Sequence, residues 1–432
     1  MKRIGLIILA ATLAAKLWAA ETNGLSALTL AEAQALALRD HPRIAAANDR
    51  ALAAQEVTTE KRSGYFPQAN LYLTAAGADS DSTRIMAGGL NNPSIYNRAA
   101  GGLAVSQLIT DFGRTANLAA GAKFQALAEK QNAAGTREAV LLQVAAGYFS
   151  ALEAQAVLQV AHQTLTTRQL LLDQVSTLAT NQLRSELDVS FARVALAEGR
   201  LLVQRSQNDA DAAMASLSTA LGSDRFTQYQ LVEPAMPTGA VTNDISDLVQ
   251  TALAQRPELL SLRNQREAAL RLARSDRDAR LPTISAVGTV GGSPTHDGRL
   301  PDNYGAAALQ LSLPLFAGGY YTAQQREAEL RAEAAAEVLR TEENEVIRDV
   351  RIAWLNSNNA MEQMQTTEEL VRQAGEAYQL AEARYKSGIS SIVELSQAQL
   401  ALTSAQITGI NARYTVFIQQ ASLAYQLGQG NP

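Results

Sequence analysis

One pattern is written twice along this chain, and each writing joins a pair of short strand-like runs to a helix too long for an ordinary globular domain. The first passage runs through Ala37-Leu38, His41-Pro42, Phe66-Pro67, Leu103-Ala104-Val105-Ser106, Asp111-Phe112-Gly113-Arg114, Tyr148, Ser185 with Leu187-Asp188-Val189-Ser190, and Leu221-Gly222. The second answers with Ala252-Leu253, Arg256-Pro257, Leu281-Pro282, Leu309-Gln310-Leu311-Ser312, Ala317-Gly318-Gly319, Trp354, Ser391 with Val393-Glu394-Leu395-Ser396, and Leu427-Gly428. Early landmarks recur after about 215 positions and later ones after about 206, so the length difference falls between the paired strands. The organisation expected is a first repeat over 21–222, a linker or equatorial segment over 223–245, and a second repeat over 246–432.

Helices supply the long dimension. Thr29 and Glu32 read as a capping box that opens a helix from about Leu30 to Gly64, which Pro67 ends. A second helix is predicted from about Thr115 to Thr180, roughly 100 Å at the α-helical rise. A half-length partner follows from Glu186 to Leu221. The second copy repeats these proportions over Ser246–Ala279, Tyr321–Ser387 and Ser391–Leu427. Val346, Val350, Ala353, Ser357, Ala360, Met364, Thr367, Val371, Ala374, Tyr378, Ala381 and Tyr385 alternate in steps of four and three, as a coiled-coil seam does. Ile347, Trp354 and Met361, then Leu370, Ala377 and Leu380, mark a second seam beside it. A helix with two seams packs against two neighbours, which predicts a closed cylinder of helices; a long antiparallel strut is the simpler alternative.

Strands are expected at about 67–78, 99–110, 282–292 and 304–315. Leu309, Leu311 and Leu313 alternate with Ala308, Gln310 and Ser312, and Leu71 and Leu73 share one side of their run. Segments of this length and alternation suit tilted strands in an outer membrane. Loops rich in Gly, Asn, Asp, Ser and Pro, Asp79–Arg98 and Gly292–Asn303, join the partners. Tyr65, Phe66, Phe112, Phe316, Tyr320 and Tyr321 collect at the opposite, helix-side ends, where an interfacial aromatic girdle belongs. Asn303–Gln325 and Tyr414–Pro432, the longest uncharged stretches beyond Leu13, contain glutamines and helix-weakening residues and do not read as spanning helices. Four strands cannot close a barrel and open edges are not tolerated in lipid, so identical copies must complete the ring. Two, three or four copies satisfy that requirement equally.

Composition agrees with an envelope location. A basic start at Lys2-Arg3, an apolar run from Ile4 to Leu13 and a small-residue exit at Ala19-Ala20 give residues 1–20 the pattern of a signal peptide. The absence of cysteine removes a disulfide scaffold, a thiolate metal site and a lipid anchor on cysteine. His41, His162 and His296 lie too far apart for familiar ligand spacing and read as surface or turn residues, so no metal or other cofactor is expected. A net charge of −5 without a basic, aromatic-rich patch gives no footprint for nucleic acid. Gly88-Gly89 and Gly318-Gly319 lack a phosphate-loop context, and Glu342-Glu343 and Glu368-Glu369 have basic neighbours suited to solvated salt bridges. No enzymatic constellation stands out.

The ordered set Leu30-Ala31-Glu32-Ala33, His41-Pro42, Phe66-Pro67-Gln68, Asp111-Phe112-Gly113-Arg114, Leu313-Pro314-Leu315-Phe316-Ala317-Gly318-Gly319, and Tyr385 to Gly388 to Ser391-Ile392-Val393-Glu394 resembles the TolC-like outer membrane efflux proteins over nearly the whole mature chain. The fold class this implies is mixed α and β: two tandem helix-strand-strand-helix repeats that give long α-helical hairpins, an α-barrel, and four strands per chain of a trimeric twelve-stranded transmembrane β-barrel. The implied partners are two further copies, outer membrane lipid, a periplasmic adaptor (membrane fusion) protein and an inner-membrane pump of the RND, ABC or MFS type. The implied function is a passive exit duct for efflux or type I secretion. A non-conducting periplasmic coiled-coil adaptor or strut is the rival, although adaptors carry one hairpin where this chain carries two.

Within that resemblance, the hairpin turns form the periplasmic entrance and meet the adaptor. The matching residues are Thr180, Asn181, Gln182 and Ser185 in the first tip and Tyr385, Gly388, Ser390 and Ser391 in the second. Asp188 and Glu394 occupy equivalent places and would multiply into a carboxylate ring in a trimer, disfavouring anions. Both also lie in a first helical turn, where a carboxylate caps free N–H groups whatever else it does. The family's latch arginine position holds Ser390, a second expected acid is Gln397, and Gln182 stands where the second tip has Gly388, with Asn181 the expected left-handed turn residue.

Overall fold

The computed structural model describes residues 27–76, 98–224, 226–236, 244–295 and 302–430. The expected signal segment, Gly88-Gly89, His296, most of both strand-joining loops and part of the linker lie outside them. In chain order the elements are β1 (Ala27–Leu28), α1 (Leu30–Asp40), α2 (Pro42–Arg62), a 3-10 turn (Ser63–Tyr65), β2 (Gln68–Ala76), β3 (Arg98–Thr110), α3 (Arg114–Thr180), α4 (Glu186–Ala220), β4 (Gln230–Leu231), α5 (Ile245–Gln255), α6 (Pro257–Asp278), β5 (Thr283–Thr295), β6 (Asn303–Ser312), α7 (Tyr320–Lys386) and α8 (Ile392–Gln426).

The two long helices, α3 and α7, contain 67 residues each and α4 and α8 contain 35 each, so the duplication holds in the elements themselves. The single helices expected over Leu30–Gly64 and Ser246–Ala279 are corrected: each is two helices, parted at His41 and at Arg256. Those residues take extended backbone, ψ 120° and 125°. The cause is the following proline, which pushes its predecessor out of the α region and cannot donate to the preceding turn. His41 is also corrected from surface residue to buried cap, its Nδ1 accepting the Arg43 N–H at 3.1 Å. Burial and then the Arg43 charge lower its pKa. The Thr29–Glu32 box forms, with Thr29 N–H donating to Glu32 Oε2 at 2.8 Å.

The chain divides into two compact units. One, containing His41–Leu142, Gly239–Met361 and Gln419–Pro432, holds the four-stranded antiparallel sheet in the order β2-β3-β5-β6. Its register sorts the side chains by parity. Leu71, Leu103 and Val290 are aligned partners on one face, and all three are exposed. Leu73, Leu309 and Leu311 share that parity and are 65–77% exposed, which an isolated water-soluble sheet would not leave uncovered. Tyr65, Phe66, Phe112, Phe316 and Tyr320 at the helix-side ends are likewise exposed. In the same unit, Leu248, Leu259, Val346, Val350, Ala353 and Leu423 belong to one buried core. Strands β2 and β6 each keep one unpaired edge among the described residues.

The other unit contains α1, Gln143–Thr238 and Glu362–Ile418. Here β1 and β4 pair in parallel, a contact too short for sequence periodicity to reveal. Buried Tyr148 fastens it: its hydroxyl lies 2.7 Å from Leu28 O and accepts the Val232 N–H at 3.0 Å. One helix among those described, α3, carries a stretch long and apolar enough for a bilayer by composition. Part of its apolar surface is used in packing, since Val140, Leu141, Val144, Tyr148, Phe149 and Leu152 are all buried.

Candidate functional site

The tips of hairpins α3–α4 and α7–α8 lie in the same compact unit, above a core of Leu171, Val175, Val189, Ala192, Ala381, Tyr385, Ile392 and Leu395. Both turns have the same backbone solution. Gln182 N–H donates to Ala179 O and Leu183 N–H to Leu178 O; Gly388 N–H donates to Tyr385 O and Ile389 N–H to Arg384 O. This paired pattern is a Schellman motif, which places its C′ residue in the left-handed region. Gly388 does so at φ 75° without cost and Gln182 at φ 60° with a Cβ in the way. Asn181, expected to be the left-handed residue, is not: position in the motif, not side-chain preference, decides, and its Nδ2 donates to Thr177 O at 2.8 Å. Thr180 spends its hydroxyl on Ser176 O at 2.9 Å.

Each tip acid has a local task. Ser185 and Asp188 form a full capping box, Asp188 N–H donating to Ser185 Oγ at 3.2 Å and Ser185 N–H to Asp188 Oδ2 at 3.3 Å. Ser391 Oγ accepts the Glu394 N–H at 3.3 Å, while the Glu394 carboxylate stands 3.2 Å from Arg384 in a half-exposed ion pair. The side chain of Ser390 points inward, its Oγ buried with no hydrogen-bond partner.

Arg184 is the residue that sequence reading passed over. Its guanidinium sits 4.4 Å from the centre of the Tyr385 ring and its Nη2 donates to Tyr385 O at 2.8 Å, so one side chain of the first tip holds the last turn of α7. Tyr385 is 5% exposed, and its hydroxyl is buried without a partner. Burial raises the Tyr385 pKa, Arg184 opposing and Asp188 adding to the rise. A signal for Arg184 was present: 184 and 390 are equivalent positions of the repeat, so the arginine missing at Ser390 stands in the other copy. Beside this contact opens a groove of about 620 Å³ lined by Leu170, Gln174, Thr177, Leu178, Arg184 and Tyr385. Among the described residues no group of His, Asp or Glu has the arrangement of a metal site. Of the paired acids on α7, one of each pair has an ion-pair partner: Arg372 donates to Glu369 at 2.6 Å and pulls its pKa down to about 2, while Glu343 meets Arg263 at 3.3 Å.

Comparison with known proteins bears on the whole arrangement. The profile of the outer membrane efflux protein family matches residues 34–223 and 248–429. Outer membrane protein TolC of Escherichia coli K12 is 26% identical over 405 residues, covering 88% of this chain and 78% of that one. TolC of Salmonella enteritidis is 29% identical over 197 residues; that match spans 43% of this chain and 40% of the relative. The crystal structure of the outer membrane protein VceC from Vibrio cholerae superposes with a TM-score of 0.78 at 19% identity, covering 92% of this chain and 96% of that one. That likeness shows the fold, long helical hairpins with a strand sheet, independently of sequence.

Proposed function

The chain belongs to the outer membrane efflux protein family, and from that premise we propose that three copies close edge to edge into a duct, with β2 of one meeting β6 of the next. The protein is an outer membrane channel of an efflux system, and the duct is passive. One observation carries the assembly: an antiparallel sheet whose leucine face is exposed and whose two edges are unpaired among the described residues cannot rest in lipid until copies cover those edges. Its leucine face then meets outer membrane lipid and its opposite face lines water. The strut reading leaves that leucine face unexplained.

The hairpin tips are the periplasmic entrance in this reading. Thr180, Asn181, Gln182, Ser185, Gly388, Ser390 and Ser391 form the rim offered to a periplasmic adaptor, and the groove beside Arg184 and Tyr385 gives it a partly apolar seat. Asp188 and Glu394, multiplied by the ring, make the rim acidic, although Arg384 offsets Glu394. Energy comes from an inner-membrane pump reached through that adaptor. The test is purification from outer membranes followed by reconstitution. Detergent-resistant trimers and ion conductance in a planar bilayer are expected; a water-soluble, non-conducting monomer would sink the reading.

A further inference from the structure

Helices α2 and α3 run antiparallel and are level at their sheet ends, where a Cβ on Gly64 would stand 3.2 Å from Thr115 Cγ2. Between them opens a groove of about 580 Å³ whose lining includes Gln55, Thr59, Arg62, Lys123, Leu127 and Lys130 and no acidic residue. All three cations are exposed, and none has an ion-pair partner among the described residues. Lys61, beside Arg62, is already paired with Glu60 at 2.8 Å. The second repeat is neutralised at the matching positions: Arg62 recurs as Arg277, 3.0 Å from Asp278, and Lys123 as Glu329, 3.4 Å from Arg326. The uncompensated cations are a feature of the first repeat.

Chirality decides which side of the wall the groove opens on. Ser293 N–H donates to Asp302 O, next in the register that pairs Gly292 with Asn303, so odd residues of β5 turn their amides to β6 and even ones to β3. On a strand of L-residues drawn upward, a side chain facing the viewer has its amide and carbonyl on the right. Val290 of the leucine face is even, so from that face, with the loops uppermost, β3 lies to the right of β5 and β2 to the right of β3. The helices leaving these strands keep that order, α2 on the right of α3 and α6 on its left. Asn117 of α3 bonds Asp278 of α6 at 2.9 Å and marks the left side. Seen from the sheet end, a descending right-handed helix turns clockwise, and Lys123, Leu127 and Lys130 lie about 220–280° further round than Asn117. That sector faces α2 and the leucine side. The groove therefore opens on the surface that meets lipid one step higher.

We propose that its upper end holds the headgroup of an anionic phospholipid from the leaflet nearer the helices, with Arg62 and Lys123 on the phosphate. Arg62 ends α2 just before the 3-10 turn that leads to the exposed rings of Tyr65 and Phe66. The headgroup layer extends roughly 5–8 Å beyond the hydrocarbon, which puts the guanidinium within it. Lys123 leaves α3 about 14 Å from Arg114, and its side chain points back toward the N-terminus, here toward the membrane. Lys130 lies about 10 Å further down, more than a Debye length of about 8 Å, and contributes little. Arginine grips phosphate through its planar fork and lysine as a point charge. Such a contact fixes the depth at which the helical wall leaves the bilayer. The joint between copies runs along the free edge of β2, so each groove lies within one copy and a ring of three holds three lipids. The proposal rests on the channel reading above.

The test is native mass spectrometry of the purified assembly, released from micelles doped with equal amounts of phosphatidylglycerol and phosphatidylcholine of the same chains. One phosphatidylglycerol per copy is expected to stay bound in preference. Arg62→Gln or Lys123→Gln should raise the phosphatidylglycerol concentration at half occupancy about fivefold, and the two together about twentyfold, the scale of one and two cations beside anionic lipid. Lys130→Gln should leave it unchanged. Equal retention of both lipids by the unaltered protein overturns the site, as does a preference that survives the double change. A loss with Lys130→Gln as large as with Lys123→Gln also overturns it, because the occupant then extends below the headgroups, as a protein partner would. An unaltered protein that proves to be a water-soluble monomer overturns the channel reading instead.

Discussion

A guanidinium that stacks on a ring and bonds the carbonyl of the same residue can restrain a turn from one side chain, and Arg184 does this to Tyr385. A partly desolvated cation–π contact is worth about 1–2 kcal/mol. A hydrogen bond from a charged donor adds about as much again. If the tips are the entrance, Arg184→Ser should loosen it and raise single-channel conductance. Arg184→Lys, which keeps the charge but loses the planar fork, should fall between. Tyr385→Phe should change little, because the ring and the carbonyl make the contact and the hydroxyl has no hydrogen-bond partner. Wild-type conductance in Arg184→Ser would remove Arg184 from the entrance. This was the least legible scale. Side chains that meet across two tips more than 200 positions apart leave no local signal, and only repeat equivalence links Arg184 to Ser390. The left-handed turn was legible as a feature but placed one residue early, since Asn181 has the better intrinsic preference and Gln182 holds the motif position.

Whole elements were easier to read because period and proline report directly on backbone geometry. The seam from Val346 to Tyr385 is buried or half-buried at every member, as its spacing requires. The adjacent seam divides: Met361 is buried, whereas Leu370 and Leu380 are exposed, so periodicity identified the stripe but not what covers it. The breaks at His41 and Arg256 were visible as X-Pro pairs in both copies, yet a capping box followed by a helical pattern outweighed them. The second break has its own chemistry. Arg256 is buried, donates to Gln426 Oε1 at 2.9 Å and lies 3.4 Å from Glu258, which accepts the Tyr425 hydroxyl at 3.2 Å. Glu138 of α3 faces this group, and burial first, then the Glu258 charge, raise its pKa, with Arg256 opposing. A carboxyl whose folded pKa is raised stabilises the fold below the unfolded value of 4.5, and that contribution fades as pH climbs through the folded value. Glu138→Gln should therefore melt with the parent near pH 4 and above it at pH 7 to 8. A constant difference in melting temperature across that range would show that ionisation of Glu138 is irrelevant to docking of the C-terminal turn.

At the scale of the whole molecule, the sequence already required a ring, because four strands leave two edges, but sequence physics did not choose its size. That choice lies in contacts between copies, which no pattern within one chain encodes. The lack of cysteine makes the number countable. With Asn70→Cys on β2 combined with Ala306→Cys, Ala308→Cys or Gln310→Cys on β6, each copy carries one thiol at either edge, all on the face opposite the exposed leucines. Side chains directly opposed at a non-hydrogen-bonded site of an antiparallel joint bring Cβ atoms to about 4.5 Å, within reach of a disulfide after a small backbone adjustment. One of the three pairings should therefore oxidise efficiently, and scanning β6 supplies the register that a single chain lacks. The cross-linked product in denaturing gels should build through dimer and stop at trimer, since a closed ring exhausts its thiols. Termination at dimer or tetramer would replace twelve strands with another count while keeping the edge argument. Failure of all three pairings to cross-link in outer membranes would mean that β2 and β6 do not meet, and the closure that makes this chain a duct would need a different surface.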